Sequence, residues 1–436
     1  MAFFERAALN PGVRGREVAA WAMYDFANSG YTTVVITAVF NAYFVGVVGA
    51  GAQWATFAWT AALSVSCLLV MVTMPAIGAY ADAHGAKKRL LLLSTIGCVA
   101  STAALYFAQP GTVVLAIVAI IVSNYFYSIG ESLTAAFLPE LSRQEALGKV
   151  SGWGWSFGYF GGMLSLGLCL AYVLSAQARG EKAAEFVPVT MLITALIFAV
   201  ASVPTFVLLR ERARPQPGAQ AAGAGVADAF QRLRRTWSEA RHFKDFQLLL
   251  VCGVFYQAGI AVVIALAAIY AEQVMKFAQS QTMMLVFLVN IASALGAFAF
   301  GYTQDRIGHK RALQWTLVGW IVMVLLAGLT STVAWFWLAA TLAGLCMGSS
   351  QSCGRAMVGV LAPSDRLAEF YGLWTLAVRL AAIIGPLTYG IVTWVTGGNH
   401  RLAILVTSLF FVVGLLVLSR IDVRRGERVA RTILAT

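Results

Sequence analysis

The sequence predicts an all-α polytopic membrane protein of about twelve transmembrane helices, at about 20 apolar residues each, in two pseudo-symmetric six-helix bundles. Composition is the first observation. Of 436 residues, 60% are hydrophobic and only 11% are charged, with a mean hydropathy of +0.77, against about 25% charged and about 45–50% apolar in soluble domains. Such a chain cannot cover itself with a water-compatible surface. The second observation is the character of the apolar runs. Segments such as Val113–Val122 and Leu402–Leu418 are apolar on every face, unlike the alternating strands of a membrane barrel. The third is an internal repeat that divides the chain into equivalent halves.

Taken in order, the predicted spans are Val18–Val47, Trp54–Ala81, Leu90–Phe107, Thr112–Phe137, Val150–Leu174 and Val187–Leu209 in the first half. The second half supplies Phe246–Ala271, Gln281–Tyr302, Ala312–Leu329, Ala334–Val358, Phe370–Thr396 and Leu402–Ser419. This gives an N-terminal bundle over residues 1–210, a linker over 211–245, a C-terminal bundle over 246–420 and a tail over 421–436. The linker opens with Arg210-Glu211-Arg212-Ala213-Arg214-Pro215 and runs on through Ala and Gly, a flexible composition. Its second part sets Phe230, Leu233 and Trp237 on one helical face among Arg232, Arg234, Arg235 and Arg241. That pattern fits a helix lying on an anionic membrane surface or an ordinary amphipathic connector.

The net charge of +12 reflects topology. With the amino terminus inside, the outside loops hold only Arg179, Lys182, Lys276 and Arg401, while Arg355 and Arg379 lie within spans. The remaining Lys and Arg fall on the side of the termini, so the positive-inside rule puts both termini in the cytoplasm. Nucleic-acid binding is unsupported. The six cysteines fall within predicted spans, where they act as small apolar residues, and the four histidines lack ligand or triad spacing, so neither a metal, a cofactor nor an enzymatic centre is expected. There is also no phosphate-cradling loop, so energy for any pumping would come from another gradient.

The repeat is specific. Gly78-x-x-x-Asp82-x-x-Gly85-x-Lys87 after helix 2 recurs as Gly301-x-x-x-Asp305-Arg306-x-Gly308-x-Lys310 after helix 8. The next landmark prolines, Pro139 and Pro363, lie 61 and 62 residues beyond the two glycines. Parallel repeats of this kind typify major facilitator transporters, whose substrate site lies between the halves near the midplane. Physically, the loops need a glycine for close helix approach, an acid to cap a neighbouring helix amino terminus and basic residues at the cytoplasmic face. The two loops resemble the signature of that superfamily, with Ala83 and Ala86 of the first copy standing where a basic residue is usual.

A narrower resemblance covers nearly the whole chain. The segments Trp-Ala-Met-Tyr-Asp-Phe-Ala-Asn-Ser (Trp21–Ser29), Phe-Leu-Pro-Glu-Leu (Phe137–Leu141), Ser-Gly-Trp-Gly-Trp-Ser-Phe-Gly-Tyr-Phe-Gly-Gly (Ser151–Gly162), Gln-Ser-Cys-Gly-Arg-Ala (Gln351–Ala356) and Glu-Phe-Tyr-Gly (Glu369–Gly372) resemble the vacuole-effluxer, or unknown major facilitator, family. The resemblance implies the major facilitator fold and export of neutral amino acids. Relatives often carry an acid before the helix 7 glycine. This chain has Ala258 before Gly259, so any coupling role of that acid is lost or passes to Gln257.

Charges within the spans are functional candidates, because each costs about 2.5–3.5 kcal/mol at the bilayer centre on insertion scales. Asp25 sits about 10 Å inside helix 1 and shares a face with Asn28, Ser29 and Thr32. Tyr24 and Tyr31 are expected to flank that stripe in a wet cavity. Asp25 could bind substrate or a proton, or it could lock a helix contact. Glu131 and Arg355 each stand eight residues before their landmark proline, as symmetry mates. They are expected either to meet across the cytoplasmic mouth as a reversible gate or to satisfy neighbours within their own halves. Arg379 has no acid within four residues on its helix, leaving Asp25 or a substrate carboxylate as its partner.

The expected function is secondary transport of a small zwitterionic solute, neutral amino acids first, by alternating access in a bacterial cytoplasmic membrane. Tyr24, Asp25, Asn28, Tyr31, Gln257, Gln351 and Arg379 are the expected substrate contacts. Asp25, Glu131 and Arg355 are the coupling or gate residues, with protons the expected ion and sodium open. The loop residues Gly78, Asp82, Gly85, Lys87, Gly301, Asp305, Arg306, Gly308 and Lys310 are the expected switch. The partners are a small solute, protons and the bilayer, and the protein is expected to be a monomer. Lipids or peptides as cargo, or a non-transporting sensor, are the competing readings. Gly154, Gly158, Gly161 and Gly162 of helix 5 and Gly385, Pro386 and Gly390 of helix 11 are expected to permit tight packing and bending.

Overall fold

A computed structural model describes residues 5–50, 53–213, 243–277 and 279–432. The linker positions that form the expected surface helix, from Phe230 to Arg241, lie outside the described residues. Among the described residues, twelve helices are long and apolar enough to cross a membrane. We label them α1 (Gly15–Val48), α2 (Gln53–His84), α3 (Lys87–Ala104), α4 (Val113–Ala135), α5 (Leu147–Ala178), α6 (Ala183–Leu208), α7 (Lys244–Gln273), α8 (Gln279–Ile307), α9 (His309–Leu329), α10 (Val333–Leu361), α11 (Leu367–Val395) and α12 (His400–Ser419). A short tail helix, α13 (Val423–Thr432), follows.

The helices overrun the apolar segments mostly at the end that carries the termini. Thus α2 continues to His84, α3 starts at Lys87 and α7 starts at Lys244. The exposed Lys244 is long enough to keep its stem on apolar surface and its head in a polar zone, whereas Lys87 is buried. Helix 4 departs from the expected span, because α4 stops at Ala135 and a separate turn, Leu138–Leu141, begins with Pro139 in its first turn. Proline fits that position because its missing N–H is not needed there. Side chains that point outward are large and apolar, as Val114, Leu196 and Trp394 illustrate, which suits hydrocarbon and not water. The six cysteines are all buried.

The helix packing repeats between the halves. In the first half α1 packs on α5 and α6, α3 on α4 and α6, and α2 on α4; in the second half α7 packs on α11 and α12, α9 on α10 and α12, and α8 on α10. Across the interface α2 meets α11 and α5 meets α8, with α4 against α11 and α10 against α5 as a further related pair. These cross-half contacts decide which charges can meet. The pseudo-twofold axis therefore puts α4 opposite α11, and not opposite its own symmetry mate α10.

Helix α1 is interrupted. It is α-helical over Gly15–Tyr31, then π-helical over Thr32–Ala38 and again over Phe44–Val48. The first π segment begins in a run rich in β-branched residues, Thr32-Thr33-Val34-Val35-Ile36, side chains that crowd an α-helical turn.

Candidate functional site

Glycines bring α1 and α5 to backbone contact. A Cβ at Gly161 would overlap the Phe26 carbonyl, one at Gly158 would lie 2.8 Å from Ser29 Oγ, and one at Gly162 would lie 2.7 Å from Thr33 Oγ1. A Cβ at Gly154 would overlap Asp25 Oδ2 and lie 2.7 Å from the Trp21 ring. Small residues at this spacing let helices approach where larger ones could not. Here they open the space through which Asp25 reaches the second half.

Asp25 holds Arg355 in bidentate geometry, with Nη1–Oδ2 at 2.6 Å and Nη2–Oδ1 at 3.1 Å. Both side chains are under a tenth exposed. The guanidinium lies over the indole rings of Trp21 and Trp155, 5.4 and 4.8 Å from their centroids. The Tyr371 hydroxyl donates to the Arg355 carbonyl at 2.8 Å, and Trp21 is itself held by a 2.8 Å hydrogen bond to the Thr134 carbonyl. Bidentate pairing and stacking on aromatic faces are the two properties that distinguish arginine from lysine.

Glu131 pairs with Arg379, Nη2 to Oε2 at 2.7 Å. The expected Glu131–Arg355 contact is not made. Sequence symmetry marks the two positions as equivalent, but α4 faces α11 across the interface and α10 faces α5, so each charge meets a residue on a different helix. The candidate partner Asp25 for Arg379 is likewise replaced by Glu131. Both pairs nonetheless join an acid of the first half to an arginine of the second.

The other candidate contacts divide. Asn28, one turn beyond Asp25, is buried and neither its amide nitrogen nor its oxygen has a hydrogen-bond partner among the described residues. Gln257 and Gln351 bond to each other, Nε2 of Gln257 to Oε1 of Gln351 at 2.9 Å, tying α7 to α10. Tyr24 and Tyr31 do not flank a wet stripe. Tyr24 bonds Thr95 of α3 at 2.8 Å and sits edge-on to Phe198 and Phe206 of α6. Tyr31 bonds Ser123 of α4 at 2.9 Å and stacks on Tyr127. Seven residues apart, the two tyrosines share a face rotated about 100° from that of Asp25, and this face packs inside the first half.

Nearer the termini, the repeated loops cross the interface reciprocally. Asp82 Oδ2 accepts the Glu369 backbone N–H at 2.9 Å, in the first turn of α11. Asp305 accepts the N–H groups of Gly148 and Lys149 at 2.9 Å each, in the first turn of α5. Each acid thus caps a helix of the opposite half, at the positive end of its dipole. Gly78 is required because a Cβ would overlap the Ala368 carbonyl, and Gly85 and Gly308 adopt φ of +57° and +92°, a region where a side chain is strained. Lys87 is buried and bridges Asp82, at 3.6 Å, and Glu140. Lys310 donates to the Ser419 and Ile421 carbonyls at 2.8 and 2.6 Å, and Arg306 is exposed.

Further cross-half bonds run from Ser151 to the Ser352 carbonyl, from Ser156 to the Ala294 carbonyl, from Gln304 to the Gly148 carbonyl and from the Trp153 indole to Tyr302. Along each helix these contacts fall in the half nearer the termini. The bundle is closed at that face. Trp155 and Tyr371 lie within the segments Ser151–Gly162 and Glu369–Gly372 that carry the family resemblance but are not among the expected site residues, and the backbone N–H groups of Gly148 and Glu369 have no signal in the sequence.

A scan of family models matches the one described as "Vacuole effluxer Atg22 like" over residues 41–431. The chain belongs to this family. Among curated relatives, the Bacillus subtilis protein named an uncharacterized MFS-type transporter, YxiO, is 25% identical over 413 residues, covering 92% of this chain and 93% of the relative. Autophagy-related protein 22-1 of Aspergillus niger is 25% identical over 324 residues, covering 69% of this chain and 52% of its own length, so the chain matches about half of that fungal protein. Among solved structures, the human organic anion transporter MFSD10 superposes with a TM-score of 0.73 at 16% identity, over 92% of this chain and 99% of that one. The proton:xylose symporter XylE gives 0.69 at 15% identity, over 92% and 94%. This Atg22-like protein is therefore an integral membrane transporter of the major facilitator type.

Proposed function

We propose that this Atg22-like transporter moves a small zwitterionic solute, with neutral amino acids the favoured class, by alternating access coupled to protons. Its basic face lies in the cytoplasm of a bacterial cell, with both termini there, and the protein works as a monomer. On that orientation the bundle is closed inward and would load from outside.

The observation that carries the reading is the paired crossing of Asp25–Arg355 and Glu131–Arg379, each joining one half to the other within the apolar span. Buried ion pairs gain little net stability because desolvation offsets attraction. They therefore suit contacts that form in one state and break in another, as rocking of two halves requires. A solute bearing both an ammonium and a carboxylate complements a site that offers both signs of charge, with the Asn28 amide one turn beyond Asp25 and Gln351, bonded to Gln257, one turn before Arg355. The switch loops join this scheme as helix caps that must release when the face opens.

The test is uptake of a labelled neutral amino-acid mixture into proteoliposomes, with and without an imposed pH gradient. Accumulation driven by the gradient supports the assignment. Failure of the wild type to move any amino acid under any gradient overturns it and redirects the search to peptides and lipids.

A further inference from the structure

The two cross-half ion pairs are built differently. Asp25 engages Arg355 with both oxygens, the guanidinium lies over two indole rings, and both side chains are under a tenth exposed. Glu131 engages Arg379 through Oε2 alone and is 32% exposed, while the buried Nε of Arg379 has no hydrogen-bond partner among the described residues. One pair is complete and enclosed. The other is half-made, with an accessible carboxylate and a guanidinium N–H still seeking an acceptor. A buried donor left unmet is destabilising, so the Arg379 Nε points to an acceptor supplied by a ligand.

We infer that Glu131, and not Asp25, carries the coupling proton, and that a substrate carboxylate displaces it from Arg379. The inference rests on the proposed transport of a zwitterion. An incoming carboxylate takes the free Nε–H together with the Nη2–H now given to Glu131, completing a bidentate pair. Glu131 then stands without its cation in an apolar span, where an unpaired carboxylate is costly, and a proton from the water that reaches it neutralises it. One proton enters with one zwitterion, so each cycle carries one positive charge inward. No bond other than the new O–H is made. Asp25 stays paired with Arg355 through this step and serves as the lock between the halves.

The groups around Glu131 are compatible with this exchange. Arg379 faces it from α11, and Tyr127 lies one turn earlier on its own helix, 5.9 Å from the Arg379 guanidinium and stacked on Tyr31 of α1. Cys67 approaches Arg379 from α2, and Cys98 of α3 lies near Tyr31. The Tyr127 hydroxyl is within hydrogen-bonding reach of Glu131, but Arg379 is the cation among them, so its capture by another anion leaves Glu131 no alternative counter-charge within this set.

The test is difference infrared spectroscopy of the purified full-length protein, following the carboxylic-acid carbonyl band during acid titration and on addition of L-alanine at fixed pH. The expected wild-type band is lost in Glu131→Gln and retained in Asp25→Asn. Should Asp25→Asn fold poorly, the double variant Asp25→Asn/Arg355→Gln removes the stranded arginine and gives the same reading. A band that survives in Glu131→Gln, or one that disappears with Asp25, overturns the inference. The acid titration needs no substrate, so silent proteoliposomes would contradict the transport reading alone, while the spectrum still decides between the two carboxylates.

Discussion

Asp25 of α1 and Arg355 of α10 form a two-pronged, fully enclosed ion pair across the interface between the halves, 2.6 and 3.1 Å at its two contacts. The residues stand 330 positions apart in the chain. Their contact exists because four glycines of α5 bring α1 close and two indoles lie over the guanidinium. Removing either charge strands the other in an apolar span, a change that costs about 3–5 kcal/mol in comparable buried pairs.

The first prediction follows from that asymmetry. Asp25→Asn or Arg355→Gln is expected to be much more damaging than the double variant that removes both charges. Thermal unfolding in detergent checks it. Equal destabilisation by the single and double variants would mean that the pair does not couple the halves.

Glycine spacing gives the second. Gly161→Ala places a Cβ against the Phe26 backbone, which cannot yield as a side-chain end would, and overpacking of this kind costs about 1–3 kcal/mol. Gly167 lies on the same helix with nothing within 4 Å of an added Cβ, so Gly167→Ala is expected to be neutral or slightly stabilising. Melting temperatures of the two variants test the contrast directly.

The reciprocal caps give the third. Asp82→Ala and Asp305→Ala each leave first-turn N–H groups of a helix in the opposite half unmet, and lost caps cost about 0.5–2 kcal/mol. Each variant is expected to expose the terminal face to a membrane-impermeant thiol reagent directed at a cysteine placed beside the interface. Lys87→Met is expected to act in the same direction, because Lys87 is buried between Asp82 and Glu140. Unchanged labelling in all three would remove these loops from the closing of that face.

The tail gives the fourth. Asp245 at the start of α7 accepts two bonds from the Arg425 guanidinium, at 2.8 and 2.7 Å, and one from the Asp422 N–H at 2.8 Å. Gly426 sits against Asp245 and Leu361. Arg425→Gln is expected to undock α13, read as faster trypsin cleavage in the tail, with the effect reduced at high salt because Arg425 is half-exposed and its charge is screened.

Much of the fold was legible because each span must be apolar for its full length, and a composition so poor in charge leaves few other places for the polar residues. The repeat was legible because Gly78 with Asp82 and Gly301 with Asp305 serve the same local geometry twice. Contact was not legible from equivalence. Glu131 and Arg355 share a register, yet register says which positions are alike and not which helices adjoin. Tyr24 and Tyr31 were misplaced for a related reason, since neighbours of Asp25 in sequence occupy another helical face. The π-helical segment after Tyr31 carries no signal beyond a run of β-branched residues, and the indoles around Arg355 look like ordinary apolar residues until the fold assembles them.

The central claim is that two ion pairs hold the terminal face closed and release it to complete a transport cycle. The most direct measurement is the spin–spin distance between labels at Arg89→Cys and Arg311→Cys, exposed positions at the starts of α3 and α9 on the two halves. The wild-type background is predicted to give a short, narrow distribution, and Asp25→Asn/Glu131→Gln to add a longer component as the halves part. A distribution unmoved by loss of both acids would contradict the account.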